Sequence, residues 1–244
     1  MCGRYVVART LSGQLPELLS QLPGWPSDYE NFNIAPTNDV PIVLESADTT
    51  TGEIVRHAEF AHWGFVAAWK KSFSERPQPI NARIESVATN GMFRSAFRHR
   101  RCIVPATGYY EWHVGTDGIK QPYFIHAPHG LSFAGIYEDW GQDAPTRRRS
   151  TAILTRSAVG PATQLHDRLP VMLRPDDYAL WLGDDFSSPD DALALLTAAS
   201  ASVASTLEFH PVDRRVGNVR NNDSALCERV GTPPTDSDFP QMST

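Results

Sequence analysis

Cys2 is the position with the most chemistry to offer. Cysteine is small enough for the initiator methionine to be removed, and a chain beginning at Cys2 would carry a thiol and a free α-amine on adjacent carbons. Model α-amines titrate near pH ~7.7–8.0 and thiols near ~8.5, so usable fractions of both nucleophiles are expected at neutral pH. Such a 1,2-aminothiol condenses with an aldehyde: the amine forms an imine and the sulfur closes a five-membered thiazolidine. From position alone, the plainer reading is a frayed terminus without a role.

Other side chains could complete such a site. Asn81 and Arg83 follow the prolines at 77 and 79 and share a face if that run is extended. Glu111 lies in Tyr109-Tyr110-Glu111-Trp112, where loss of water would raise its pKa and suit it to proton transfer. Pairing with an arginine is the competing reading. His166 is expected in a loop between a strand and a helix, a common place for an acid–base imidazole, although most loop histidines are merely solvated. His126 and His129 lack a third ligand nearby, so no metal site is expected. Cys102 reads as a small buried residue, and the wide spacing of Cys2, Cys102 and Cys227 excludes a disulfide framework or a Cys-x-x-Cys zinc site.

The elements that must hold these residues are mostly short β-prone runs. Strands are expected at 4–7, 40–45, 55–63, 102–104, 123–126, 131–137, 151–156 and 205–212, separated by Gly, Pro or Asp clusters that favour antiparallel pairing. Leucines at helical spacing predict a helix over 11–22, and an apolar stripe with Arg94 and Arg98 predicts another over 86–98. Ser188-Pro189-Asp190-Asp191 opens a further helix running through 192–199, and another begins at Pro175. Residues 141–149 read as an exposed loop and 231–244 as a disordered tail. The expectation is a single α+β domain over 2–230, with a mainly antiparallel, β-rich, barrel-like core and flanking helices.

With 244 residues, 41% hydrophobic and 20% charged, the composition is that of an ordinary globular chain. No apolar run approaches the ~20 residues of a membrane span, and the arginine at position 4 argues against a secretory signal, so a cytoplasmic location is expected. The net charge of −6 is uneven: residues 1–175 carry 18 basic against 16 acidic side chains, residues 176–244 carry 4 against 12. That leaves room for a local basic groove but argues against nonspecific coating of nucleic acid.

Taken in order, Cys2-Gly3-Arg4-Tyr5, Asn33-Ile34-Ala35-Pro36-Thr37, Trp63-Gly64-Phe65 and Ile80-Asn81-Ala82-Arg83 form a recognisable pattern. It continues through Arg101–Ala106, Gly108–Trp112, Ile153–Arg156, His166–Val171 and Val219–Asn222. Over about residues 2–230 the sequence resembles the SOS response-associated peptidase (SRAP) family, the abasic-site processing proteins that crosslink to single-stranded DNA. The resemblance implies an antiparallel β-rich fold and an enzyme that needs no cofactor or metal. In that reading Cys2, freed of Met1, bonds to the ring-opened aldehyde of an abasic site and shields the lesion, with lyase-like chemistry. Asn81 orients the adduct, Glu111 moves protons in its formation and reversal, and His166 assists sugar ring opening. Arg4, Arg83, Arg156 and Arg168, with Thr155, grip phosphates, while Pro36 and Trp69 support or wedge bases. The implied partner is single-stranded DNA containing abasic sites, met by a monomer that becomes nucleoid-associated when bound. The family name also implies a peptidase activity, self-removal of the N-terminal residue. Phe65-Val66-Ala67-Ala68-Trp69 departs from the family's usual Leu-Ile-Pro-Ser-Trp-like run, and Leu169 stands where methionine is common; both keep apolar character.

Two rivals remain open on the sequence: a cysteine hydrolase in which Cys2 attacks an amide with His166 or Glu111 as base, and a noncatalytic single-stranded DNA-binding module.

Overall fold

The computed structural model describes all residues except 1, 10, 12–20, 49, 116–117, 142–145, 184–185 and 232–244. The helix expected over 11–22 and the tail expected from 231 therefore lie largely outside the described residues. The elements, in chain order, begin with β1 (Tyr5–Val7), β2 (Asn31–Ile34), β3 (Asp39–Ala47), β4 (Ile54–Trp63) and β5 (Asn81–Arg83). The short helices α1 (Ile84–Val87) and α2 (Arg94–His99) follow, then β6 (Arg101–Val114), β7 (Lys120–Trp140), β8 (Arg148–Ser157) and β9 (Arg168–Pro170). Helices α3 (Tyr178–Leu182) and α4 (Pro189–Ala204) and strand β10 (Glu208–Pro211) complete the order.

The strands form a 10-stranded sheet whose path closes on itself: β3 pairs with β6, β6 with β7, β7 with β8, β8 with β4, and β4 with β3. Most pairings are antiparallel, but β4–β8 and β5–β8 are parallel, so the sheet is mixed. One ring of strands with a few helices on its flank makes a single α+β domain. Both faces of the ring are covered. Ile42, Leu44, Cys102 and Val104 join Tyr5, Trp63 and Phe133 in one apolar cluster. The intervening Val43 and Ile103 join a second cluster with Phe97, Trp181 and Leu196 from the helices. Burial on both faces explains why these strands read as continuous apolar runs instead of alternating ones.

Several expected boundaries are corrected. The runs at 123–126 and 131–137 are parts of one strand, β7, because the chain at Pro128-His129-Gly130 bulges without reversing. Opposite it, the register of β6 shifts between Ala106 and Gly108, and a Cβ on Gly108 would sit 2.6 Å from the Ile125 carbonyl. The helix expected over 86–98 is broken into α1 and α2 at Asn90-Gly91, where Asn90 Oδ1 accepts the Met92 N–H at 2.9 Å. Residues 205–207 follow α4 as turn and coil, so β10 begins later than expected. In the expected 141–149 loop, Arg148 and Arg149 belong to β8. Ser188 does cap α4, accepting the Asp191 N–H at 3.3 Å. Among the described residues, no helix is long and apolar enough to cross a membrane.

Candidate functional site

Cys2 enters the fold through β1. The register Tyr5↔Tyr109 and the bond from Tyr110 N–H to the Arg4 carbonyl at 2.9 Å run the chain start antiparallel along β6 toward Glu111. Asn81 opens β5, which lies parallel to β8, and its Nδ2 donates to the Cys2 carbonyl at 2.9 Å. Its Oδ1 is buried and takes no hydrogen bond from the described residues. Cys2 is fully buried and Glu111 is 4% exposed. On β6, Glu111 and Tyr109 point to one face and Tyr110 and Trp112 to the other, as the two-residue period of a strand requires.

Burial pushes the Cys2 thiol well above its ordinary value, and the nearby Glu111 charge pushes it further. This corrects the expectation of a usable thiolate fraction at neutral pH: the buried sulfur keeps its proton and needs an acceptor beside it. Burial also raises the Glu111 carboxyl, and the His166 imidazole lies close enough to oppose that shift. The imidazole lies in the loop between a 3-10 turn (Gly160–Gln164) and β9, not between a strand and a helix. Its Nδ1 accepts the Arg168 N–H at 3.0 Å and lies 2.6 Å from Asp167 Oδ1. Thiol, carboxyl, amide and imidazole thus converge from β1, β6, β5 and the loop before β9.

The arginines divide into two groups. β8 is flanked by β5 and β9, with Thr155 paired to Arg83 on one side and to Pro170 on the other, and Ser157 paired to Arg168. Arg83 is exposed. Arg156 donates to the Thr197 carbonyl at 2.8 Å, and burial lowers its pKa. Arg168 donates to the Thr155 carbonyl at 2.8 Å and to its hydroxyl at 3.3 Å, and Thr155 is itself fully buried. Arg4 belongs to a different corner: it donates to Asn33 Oδ1 at 2.7 Å and the Val216 carbonyl at 2.9 Å, with its guanidinium 5.8 Å from the Trp112 ring centre.

Pro36 is half-buried in the turn before β3, where Thr37 holds φ of 76° and its N–H donates to the Trp63 carbonyl at 2.9 Å. A β-branched residue at positive φ is strained backbone, held here by the turn and the end of β4. Trp69 is 67% exposed. Its neighbour Lys70 is buried, with Nζ donating to the Glu75 carbonyl at 2.9 Å and its own carbonyl accepting Trp140 Nε1–H at 2.8 Å, so a large apolar ring is presented on an anchored loop. Phe65, Val66 and Leu169 are fully buried, which accounts for their apolar character where the sequence departs from the family pattern.

Three residues near this site had no assigned role from sequence. Asn33, 3% exposed, points its Nδ2 at the carbonyls of Val216, Asn218 and Asn221 and so ties the loop after β10 to Arg4. Glu85 binds Arg168 through both carboxylate oxygens. Asp167 contacts His166. Asn33 and Asp167 both stood inside recognised motifs and Glu85 two residues beyond one, but sequence cannot show which side chain they meet. Among the described residues, no group of three or more His, Cys, Asp or Glu side chains could hold a metal ion.

The site is thus a buried cysteine at position 2 that meets an amide, with a carboxyl and an imidazole nearby, on a closed mixed sheet. The SOS response associated peptidase (SRAP) family model matches residues 1–219, and the chain belongs to that family. It is 31% identical over 241 residues to the abasic site processing protein YedK of Escherichia coli (strain K12), covering 94% of this chain and 100% of YedK. It is 28% identical over 244 residues to the abasic site processing protein HMCES of Rattus norvegicus, covering 83% of this chain and 66% of HMCES. A crystal structure of a protein from Bordetella bronchiseptica shares the fold, with a TM-score of 0.68 at 20% identity over 87% of this chain and 100% of that one.

Proposed function

We propose that this protein processes abasic sites in single-stranded DNA by forming a covalent thiazolidine through Cys2 after loss of Met1. The observation that carries the reading is the convergence of Cys2, Asn81, Glu111 and His166, and the names of the relatives supply the lesion. His166 moves a proton as the sugar ring opens to its aldehyde. The α-amine of Cys2 adds to the aldehyde carbon, and water leaves to give an imine. Glu111 takes the thiol proton as sulfur attacks the imine carbon, and the ring nitrogen regains a proton. Asn81 fixes the Cys2 carbonyl and thereby the direction of both nucleophiles. No cofactor enters this balance.

Strand binding rests on Arg4, Arg83, Arg156 and Arg168, with Thr155 acting through Arg168, while Trp69 and Pro36 meet bases beside the lesion. The working unit is residues 2–230, acting as a monomer in the cytoplasm. Specificity comes from reactivity, because an intact strand offers no aldehyde.

Intact-mass measurement after incubation with an abasic single-stranded oligonucleotide tests this reading. The expected product is the Met1-free protein plus the oligonucleotide minus one water, stable to heat. Cys2→Ser should give no such product while still binding the strand. An equally stable product from Cys2→Ser would overturn the thiazolidine.

A further inference from the structure

The guanidinium of Arg168 is already occupied. Its Nη1 donates to Glu85 Oε1 at 2.6 Å and its Nη2 to Oε2 at 3.0 Å, the two-pronged geometry with which arginine also grips a phosphate. The partners are held unequally. The Arg168 side chain is 11% exposed and fixed from behind by the buried Thr155, whereas the Glu85 side chain is 47% exposed and sits in the first turn of α1, just after Arg83. The cation is anchored and the anion can swing into water. Arg156 lies close enough to feel both charges.

We propose that the Glu85 carboxylate occupies the seat that a backbone phosphate of the bound strand takes on Arg168, so that Glu85 sets the noncovalent affinity for single-stranded DNA. The inference rests on the proposed function and adds a residue that works against binding. A half-exposed ion pair is weak enough for a phosphate to displace. Each binding event must break it, so intact strands leave readily and lasting attachment is reserved for strands that present an aldehyde. An orienting role for Glu85, holding Arg168 in place for the strand, makes the opposite prediction about affinity.

Fluorescence anisotropy with an undamaged single-stranded oligonucleotide at fixed salt separates these roles. Glu85→Gln should tighten Kd by about three- to five-fold, the upper end of what one exposed ion pair is worth. The same change in an Arg168→Gln background should alter Kd by less than about two-fold, because the seat is then gone. Weaker or unchanged binding by Glu85→Gln overturns the proposal, and so does an equal gain in the Arg168→Gln background, which marks a general charge effect. Glu85→Ala, with folding verified by thermal melting, must reproduce the gain. Failure of the wild-type protein to bind the strand removes both this proposal and the proposed function. Failure to form an adduct with abasic DNA, with the Glu85→Gln gain intact, removes the crosslinking chemistry alone.

Discussion

The Asn81 side-chain amide donates to the Cys2 backbone carbonyl at 2.9 Å, tying the start of β5 to the chain start across 79 residues of sequence. In the proposed reaction this bond would set the direction in which the Cys2 amine and sulfur face an incoming aldehyde. Asn81→Ala should slow adduct formation by up to about 10²-fold, the scale of a misplaced reacting group, while noncovalent binding stays within error. Single-turnover rates on abasic oligonucleotide check this; an unchanged rate would mean the bond is merely structural.

Glu111→Gln should slow formation or reversal of the adduct by ~10²–10⁴-fold, because the amide keeps the shape but moves no proton. Stability carries a second signature. The folded-state pKa of Glu111 is raised, so its contribution is fully present below the ordinary value of 4.5 and is lost as pH rises through the folded value. Glutamine has no such loss. The melting temperature of Glu111→Gln relative to wild type should therefore increase between pH 4 and pH 7; a decrease would show an ion pair that outweighs burial.

Arg83 is exposed beside β8 and is the most accessible of the arginines proposed to grip phosphates. Arg83→Ala should weaken binding of intact and abasic strands alike and flatten the log–log salt slope by about 0.7, one phosphate on a single strand. A titration of Kd against salt reads this directly. An unchanged slope would place Arg83 outside the strand's path.

Asn33→Ala removes the donor shared by the Val216, Asn218 and Asn221 carbonyls and the acceptor of Arg4. Loss of this buried network should cost about 2 kcal/mol and lower the melting temperature by roughly 4–8 °C. A melt within error of wild type would show that the loop holds without it.

Much of this was legible in the sequence, and the exceptions have physical reasons. Valine- and isoleucine-rich runs between turn residues marked most strands, because ring strands covered on both faces must be apolar throughout. The continuity of β7 was not legible: Pro128-His129-Gly130 reads as a turn, and only the opposing register shift at Ala106 and Gly108 shows a bulge. The parallel β5–β8 pairing was equally hidden, since it joins segments some 70 residues apart and sets Arg83 beside Thr155. The burial of Glu111 was anticipated, but its surroundings were not: Tyr110 and Trp112, its neighbours in sequence, point to the other face of β6, and only Tyr109 shares its side. The burial of the Cys2 thiol was not, because it depends on β6 and β5 closing over a terminus that sequence alone makes look free. The Glu85–Arg168 pair spans 83 residues and is invisible to any local reading.

The central claim is that both the α-amine and the sulfur of Cys2 bond to the lesion. One uncleavable residue placed before Cys2 keeps the thiol and turns the amine into an amide, which has no nucleophilic lone pair. Intact-mass analysis of this variant with abasic single-stranded DNA should show unmodified protein that still binds the strand, beside a wild-type protein fully shifted in mass. A heat-stable adduct on the extended protein, with the extra residue confirmed by mass, would contradict the account.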